Sequence, residues 1–395
     1  MGLIDGEPDR RSYASVREAA WQAITITTRE GVTAPETRQR SGIKSTRIST
    51  TVTAKKDTVQ NVTAKIVTVE EVSAEEDAME SGISDVLEIL SGPLPSDSVL
   101  EFTVSEDGYK KIIEEREKSN RKYRVSYDEK SRTAIICFPT LLHEEASGLV
   151  IDSMVSEVVR MLQNAGVGDD VTSRIRRIGP ATIDSSSDRS YKEPDGLIIF
   201  DDGESDNSIR IVLEVGFSQT YSSLKRACLW WIEQGEAPVV VSLCLTENHK
   251  SSGAAPQVFR TAEERDAQKQ RYIDAFNTQR RHEHRPLGPL VYSGYTWFGT
   301  LRDAFFETYR ETDSGVAKSE PVYLVKDGVD VSDGISRDLS AIKVCDFVPH
   351  NWLSDNDFLR HSAVNFLQPQ TFMQMMSNAI VRTALNRVKN TFALE

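Results

Sequence analysis

Cysteine is scarce and dispersed. The 395 residues hold four, Cys137, Cys228, Cys244 and Cys345; no two stand in CxxC spacing, and three lie inside apolar runs. That argues against a disulfide framework and against a zinc finger, and for a reducing compartment. No apolar run approaches the ~18 residues that cross a bilayer, and the N-terminus lacks the basic-then-apolar order of a secretory leader. The expectation is a soluble protein inside the cell, cytoplasmic or nuclear, without a membrane partner. Walker-type glycine loops and GxSxG elbows are missing too, which removes the common nucleotide-hydrolysing and serine-hydrolase motifs. Positive charge is in deficit: 47 Lys and Arg stand against 60 Asp and Glu, a net charge of −13. A chain so acidic does not coat nucleic acid through its whole surface, because phosphate contacts need Lys and Arg. A local basic groove remains compatible with it, and so does a metal site built from carboxylates.

Aromatic residues are absent from 45–72, a stretch of Thr, Ser, Lys and Val. Too little apolar surface is present there to offset chain entropy, so residues 1–96 are expected to be mostly a disordered tail, with a short helix over 76–90. Ser91-Gly92-Pro93-Leu94-Pro95 breaks the chain. Regular patterning begins near residue 98. It predicts a polar helix over 109–118, then a hairpin of strands 122–127 and 133–138 turning at Asp128-Glu129-Lys130-Ser131. Leu142, Ala146, Leu149, Val150, Met154, Val158 and Met161 recur at helical spacing, which predicts a long amphipathic helix over 141–165 closed by Gly166. Strands follow at 181–183, 196–200 and 209–215. A helix over 219–233, capped by Ser218, and a buried strand over 238–245 complete the unit. This order is that of an α/β domain, a mixed sheet flanked by helices, spanning 97–248. Beyond it the pattern predicts helices at 262–276, 300–309 and 354–393 and strands at 290–295 and 321–326, a C-terminal extension over 249–395 that is mainly helical.

Chemistry concentrates where Pro194-Asp195-Gly196 enters one strand and Glu214-Val215-Gly216 ends the next. In such a hairpin the start of the first strand lies beside the end of the second, so Asp195 and Glu214 become neighbours at one sheet edge. Alternation sets Ile211, Leu213 and Val215 on the face opposite Glu214. Two carboxylates that close repel unless a cation or a proton lies between them. A hard divalent ion, Mg²⁺ or Mn²⁺, suits two carboxylates, the Val215 carbonyl and water. Such an ion activates water and neutralises charge on a phosphoryl group.

These residues belong to a longer ordered set: Tyr127 and Thr133 on a strand pair, then Pro139-Thr140-Leu141-Leu142-His143-Glu144, Lys192-Glu193-Pro194-Asp195, Leu213-Glu214-Val215-Gly216-Phe217-Ser218, and a helix with Trp230-Trp231. Over about 122–246 the set resembles the PD-(D/E)xK, or restriction-endonuclease-like, nuclease superfamily, in particular its fungal members. The resemblance implies a restriction-endonuclease-like core and a Mg²⁺-dependent nuclease acting on phosphodiesters. It implies Asp195 and Glu214 as metal ligands and Glu144 as an accessory acid. One departure is plain: the signature lysine, two positions after the acid, is Gly216 here. That lysine orients water and stabilises developing charge. Lys225 in the next helix and Gln219 at its start are the candidates to replace it. Lys192 ranks below them, because three positions from Asp195 an ideal strand turns it to the other face. The alternative is a catalytically degenerate nuclease fold kept as a nucleic-acid or protein interaction module.

Structural roles compete at several of these positions. Glu144 suits a helix first turn, where the dipole favours acids. Ser218 is first a helix cap. Trp231 continues a buried helix face, so packing explains it better than base stacking. Arg174, Arg176 and Arg177 alternate as groove-lining cations would. Arg280-Arg281-His282-Glu283-His284-Arg285 reads first as a solvated basic loop, with phosphate contact and then a His-x-His metal site as the alternatives.

Overall fold

The computed structural model of the chain describes residues 83–394 apart from 85, 91–98, 120–122, 180–181, 185–187, 204–207, 218, 249–256, 335–341 and 354–356. The expected tail over residues 1–75 and the expected cap Ser218 lie outside the described residues. Residues 83–84 and 86–90 are helical, and Ile83, Val86 and Leu90 are buried.

Two sheets organise the rest. The smaller takes β1 (Val99–Thr103), β2 (Arg124–Asp128) and β3 (Thr133–Cys137), with the short β5 (Ile183–Asp184) and β6 (Tyr191–Lys192), in the order β1-β3-β2-β6-β5. Strict alternation builds it. Val125 and Tyr127 of β2 turn to a core shared with α1 (Glu106–Ser119) through Tyr109 and Ile112. Arg124, Ser126 and Asp128 therefore turn the other way, towards a cavity. Period two leaves them no other choice.

The larger sheet runs β16-β15-β13-β9-β8-β7-β4, with β14 paired to β13. Its strands are β4 (Ile175–Ile178), β7 (Gly196–Phe200), β8 (Ser208–Gly216), β9 (Val239–Asn248), β13 (Thr300–Thr312), β14 (Gly315–Lys318), β15 (Val322–Lys326) and β16 (Val329–Asp330). The β8–β9 pair is parallel and its other pairs are antiparallel, so the sheet is mixed. The first long helix after the hairpin, α2 (Leu141–Asn164), covers one face through Val150, Met154 and Val158 against Ile198, Ile211 and Leu213. The crossover helix α3 (Tyr221–Glu233) covers the other through Leu224, Cys228 and Trp231 against Leu197, Val212 and Val240. The expected mixed sheet flanked by helices is thus present, and Ile211, Leu213 and Val215 do lie opposite Glu214.

Past residue 248 the reading needs correcting. Residues 300–309, expected as a helix, are part of β13, which pairs with β9 from Thr300↔Asn248 to Arg310↔Val239. The core sheet therefore runs on into the C-terminal half, and that half is not mainly helical. A register shift between Leu301 and Asp303 explains the misreading: a bulge moves the buried side from Leu301 to Ala304, a step of three that imitates a helix. The strand expected over 290–295 is two strands, β11 (Leu290–Tyr292) and β12 (Tyr295–Phe298). Ser293 and Gly294 between them both have positive φ, the geometry of a tight hairpin turn. Two long helices also belong to this half, α4 (Ala262–Arg281) and α5 (Pro369–Lys389), with Pro at the start of α5 where a missing N–H is harmless. The α5 helix packs on α2, and Thr383 accepts a hydrogen bond from the Leu142 N–H at 3.1 Å.

Candidate functional site

The open face of the smaller sheet, the start of α2, the adjoining ends of β7 and β8 and the flank of α3 enclose a cavity of about 250 Å³. Asp195 and Glu214 both line it, and their side chains are only 8% and 7% exposed. The local sequence explains the placement. The Asp195 N–H donates to the Leu213 carbonyl at 3.1 Å, and Gly196 pairs with Leu213, so Asp195 sits one step from Glu214. Gly196 is required there, because a Cβ would fall 2.4 Å from Ile151 of α2.

The two acids reach the cavity from opposite faces of the sheet end. Asp195 belongs to the α2 side. Its Oδ1 is paired with Arg124, and its Oδ2 accepts from His143 Nε2 at 3.1 Å and from the Val215 N–H at 2.5 Å. The Ser147 hydroxyl donates to its backbone carbonyl at 2.7 Å. Thr140 prepares this wall by capping α2: its hydroxyl accepts from the His143 N–H at 3.1 Å, which fixes the first turn. His143 is buried, and burial holds its pKa below the usual histidine range against the opposing pull of Glu144. With Asp195 Oδ2 as acceptor, the neutral ring carries its proton on Nε2. Its Nδ1 faces Glu144 at 3.6 Å.

Glu214 belongs to the α3 side. The Trp231 indole N–H donates to its Oε1, and Lys192 Nζ stands 3.0 Å from the same oxygen. Lys192 also donates to the Ala227 carbonyl at 3.1 Å and lies 5.1 Å from the centre of the Trp231 ring. The lysine is held by a carboxylate, a helix carbonyl and an indole face. The expectation for Lys192 is corrected here. It does lie on the face away from Asp195, but Glu214 lies on that face as well, so the lysine meets the second acid.

Other expected site residues fare differently. Gln219 lines the cavity and accepts from the Ser223 hydroxyl at 3.4 Å. Lys225 does not line it and is exposed on the outer side of α3, one residue from the buried Leu224, so helical phase turns it away. Glu144 does not converge with the other two acids. Its carboxylate accepts from Arg124 Nη2 at 2.7 Å, which makes it the far end of an Asp195–Arg124–Glu144 bridge. Among the described residues no three His, Cys, Asp or Glu side chains come together as a metal-holding group, so the three-acid ligand set with Glu144 is not formed. Val215 lines the cavity and serves Asp195 through its N–H. Glu193 pairs with Arg116 at 2.5 Å.

Gly216, in the place of the signature lysine, is closely packed: a Cβ there would fall 2.8 Å from Leu224 Cδ2. The Trp pair divides its roles, Trp231 being fully buried and Trp230 facing the cavity. Arg176 and Arg177 are paired with Asp201 and Asp152, and Arg174 stacks on Trp352 at 4.4 Å, so β4 offers no free basic stripe. Arg124 is the residue that sequence reasoning missed. Its signal was available: Arg124, Ser126 and Asp128 alternate with Val125 and Tyr127, and a polar stripe on a half-buried strand faces a wet space.

The cavity also holds Cys137, whose thiol burial pushes up to about 11, which keeps it protonated and unreactive at neutral pH. Among the described residues no helix is long and apolar enough to cross a membrane. No family model matches the chain, and no curated protein and no solved structure matches it.

Proposed function

We propose that the cavity is a phosphodiester-hydrolysing site of the PD-(D/E)xK type in a restriction-endonuclease-like core, with Lys192 in the part of the displaced signature lysine. One observation carries this reading. A lysine ammonium held 3.0 Å from Glu214 lines the same cavity as Asp195. Both acids sit at adjoining strand ends, and the resemblance in the order Asp195, Glu214, Trp230-Trp231 supports the same assignment.

The donor chemistry fits a hard divalent cation. Five carboxylates line the cavity (Glu101, Asp128, Glu193, Asp195, Glu214) against three cations (Arg124, Lys192, Arg226), with His143 neutral. That excess of negative charge repels phosphate and attracts Mg²⁺ or Mn²⁺. Asp195 and Glu214 would hold the ion, which when bound supplies a Lewis acid for water and for a phosphoryl oxygen. The chain's own residues do the rest. Lys192, fixed by Glu214 and Ala227, orients water and offsets charge developing on the phosphoryl oxygens. His143 and the Val215 N–H hold the Asp195 carboxylate in one rotamer. Arg124 neutralises Asp195 and Glu144 when no other cation is near. Gln219 offers an amide at the cavity wall.

A second reading is favoured by a specific feature. Both Asp195 oxygens already accept donors from the protein, and Leu224 fills the space beside Gly216. A site so well satisfied also suits a degenerate nuclease fold serving as an interaction module. Mn²⁺ titration by calorimetry separates the two. Saturable binding by the full chain that Asp195→Ala and Glu214→Ala both abolish, with Mn²⁺-dependent cleavage of an oligonucleotide, supports the enzyme. A flat isotherm in the presence and absence of oligonucleotide, with no cleavage, leaves the module reading.

A further inference from the structure

The acids that would act on the phosphodiester do not stand on an open surface. They line a partly enclosed cavity, nine-tenths buried, together with the polar face of the smaller sheet and the flank of α3. Its volume of about 250 Å³ is on the scale of a pocket for one small ligand. A continuous duplex carries its phosphates on the outside of a rod whose major groove alone is about 12 Å wide, so it cannot follow them into such a space.

The walls suit one unpaired nucleotide. Trp230 presents its indole to the cavity from α3 and is half-buried, a flat apolar surface of the kind on which an unpaired base stacks. From the smaller sheet, β2 and β3 line the same cavity with Ser126, its cross-strand partner Ile135, and Thr133, two hydroxyls beside an aliphatic side chain. Gln219 adds an amide that can both donate and accept, as a base edge requires. Arg226, exposed at the cavity wall, is placed to meet a neighbouring phosphate.

We infer that this site takes a single unpaired nucleotide unit, at a strand end or in a single-stranded segment, and does not act on continuous duplex. The inference rests on the phosphodiester reading above and narrows its substrate class. It places the base between Trp230 and the Ser126–Ile135–Thr133 wall, with the phosphodiester at Asp195 and Glu214.

The test uses the full chain with Mn²⁺. Quenching of tryptophan emission is titrated with deoxythymidine 5′-monophosphate, and cleavage is followed on a single-stranded oligonucleotide and on the same sequence closed into a blunt hairpin. Saturable quenching is expected, weakened at least about tenfold in Ser126→Trp and in Thr133→Tyr, which fill the wall away from the acids, with Mn²⁺ binding kept in both. Single strand should be cut at least about tenfold faster than hairpin. Nucleotide binding without cleavage would uphold the pocket and sink the hydrolytic reading. Equal cleavage of hairpin and single strand, or no nucleotide binding by a protein that binds Mn²⁺ or cuts, would overturn the inference.

Discussion

Glu247 and Asp195 each meet an arginine in nearly dry surroundings, yet the two settings differ. Glu247 is paired with Arg387 through two contacts of 2.8 Å, and the side chains are 0% and 7% exposed. The Gly299 N–H donates to the same carboxylate at 2.6 Å, and Arg387 also reaches the Trp297 carbonyl at 3.0 Å. These contacts tie the end of β9 to α5 and to the link between β12 and β13, and α5 to β12. Asp195 has as many donors, but it shares them with a cavity, a second acid and a bridging arginine. The first pair closes a core, while the second holds an acid beside a cavity. Burial of charge alone therefore does not separate Asp195 from Glu247; burial against a cavity does.

Removing Arg387 should have the largest effect. Arg387→Ala leaves Glu247 buried without its partner, which typically costs about 3–5 kcal/mol. Asp195→Ala leaves Arg124 its second partner, Glu144, and should cost about 1 kcal/mol. Denaturant unfolding of both variants checks this, and similar losses would break the contrast. Lys192→Met should come next. Turnover of single-stranded substrate is expected to fall about a hundredfold with Mn²⁺ binding intact, whereas Lys225→Met should leave both unchanged. If Lys225→Met carries the loss instead, the assignment of Lys192 fails. Gly216→Lys restores the signature residue and should still harm the protein. Its Cβ would press on Leu224, at a cost of about 1–3 kcal/mol in unfolding experiments and with no gain in turnover.

The sequence was most legible where one period ruled a whole element. The heptad-like run from Leu142 to Met161 located α2, and the apolar runs at β7, β8 and β9 located the strands that carry the acids. It was least legible where two periods overlapped, as in β13, where the bulge after Leu301 copies a helical step. That Asp195 and Glu214 come to one end of the sheet could be read because a hairpin joins their strands. For Arg124 the alternation shows a polar stripe but not its meeting with Asp195, because it arrives from a different sheet more than sixty residues earlier. Strand alternation ranks Lys192 against Asp195 alone, and only three-dimensional packing shows that α2 holds one acid and α3 the other.

The smallest effect offers the finest test of the same contrast. Thr140, Thr220 and Thr261 all cap helices in the same way, each hydroxyl accepting the N–H three residues on at 3.1–3.2 Å. Each Thr→Ala change should lower stability by about 1 kcal/mol. Only Thr140 fixes the turn that carries His143 to Asp195. Thr140→Ala should therefore also weaken Mn²⁺ binding by a few-fold, about 0.5–1 kcal/mol, whereas Thr261→Ala on the distant α4 should not. Equal Mn²⁺ isotherms for the two variants would mean that Asp195 is held by Arg124 and Val215 alone, and that His143 is a packing residue beside the site.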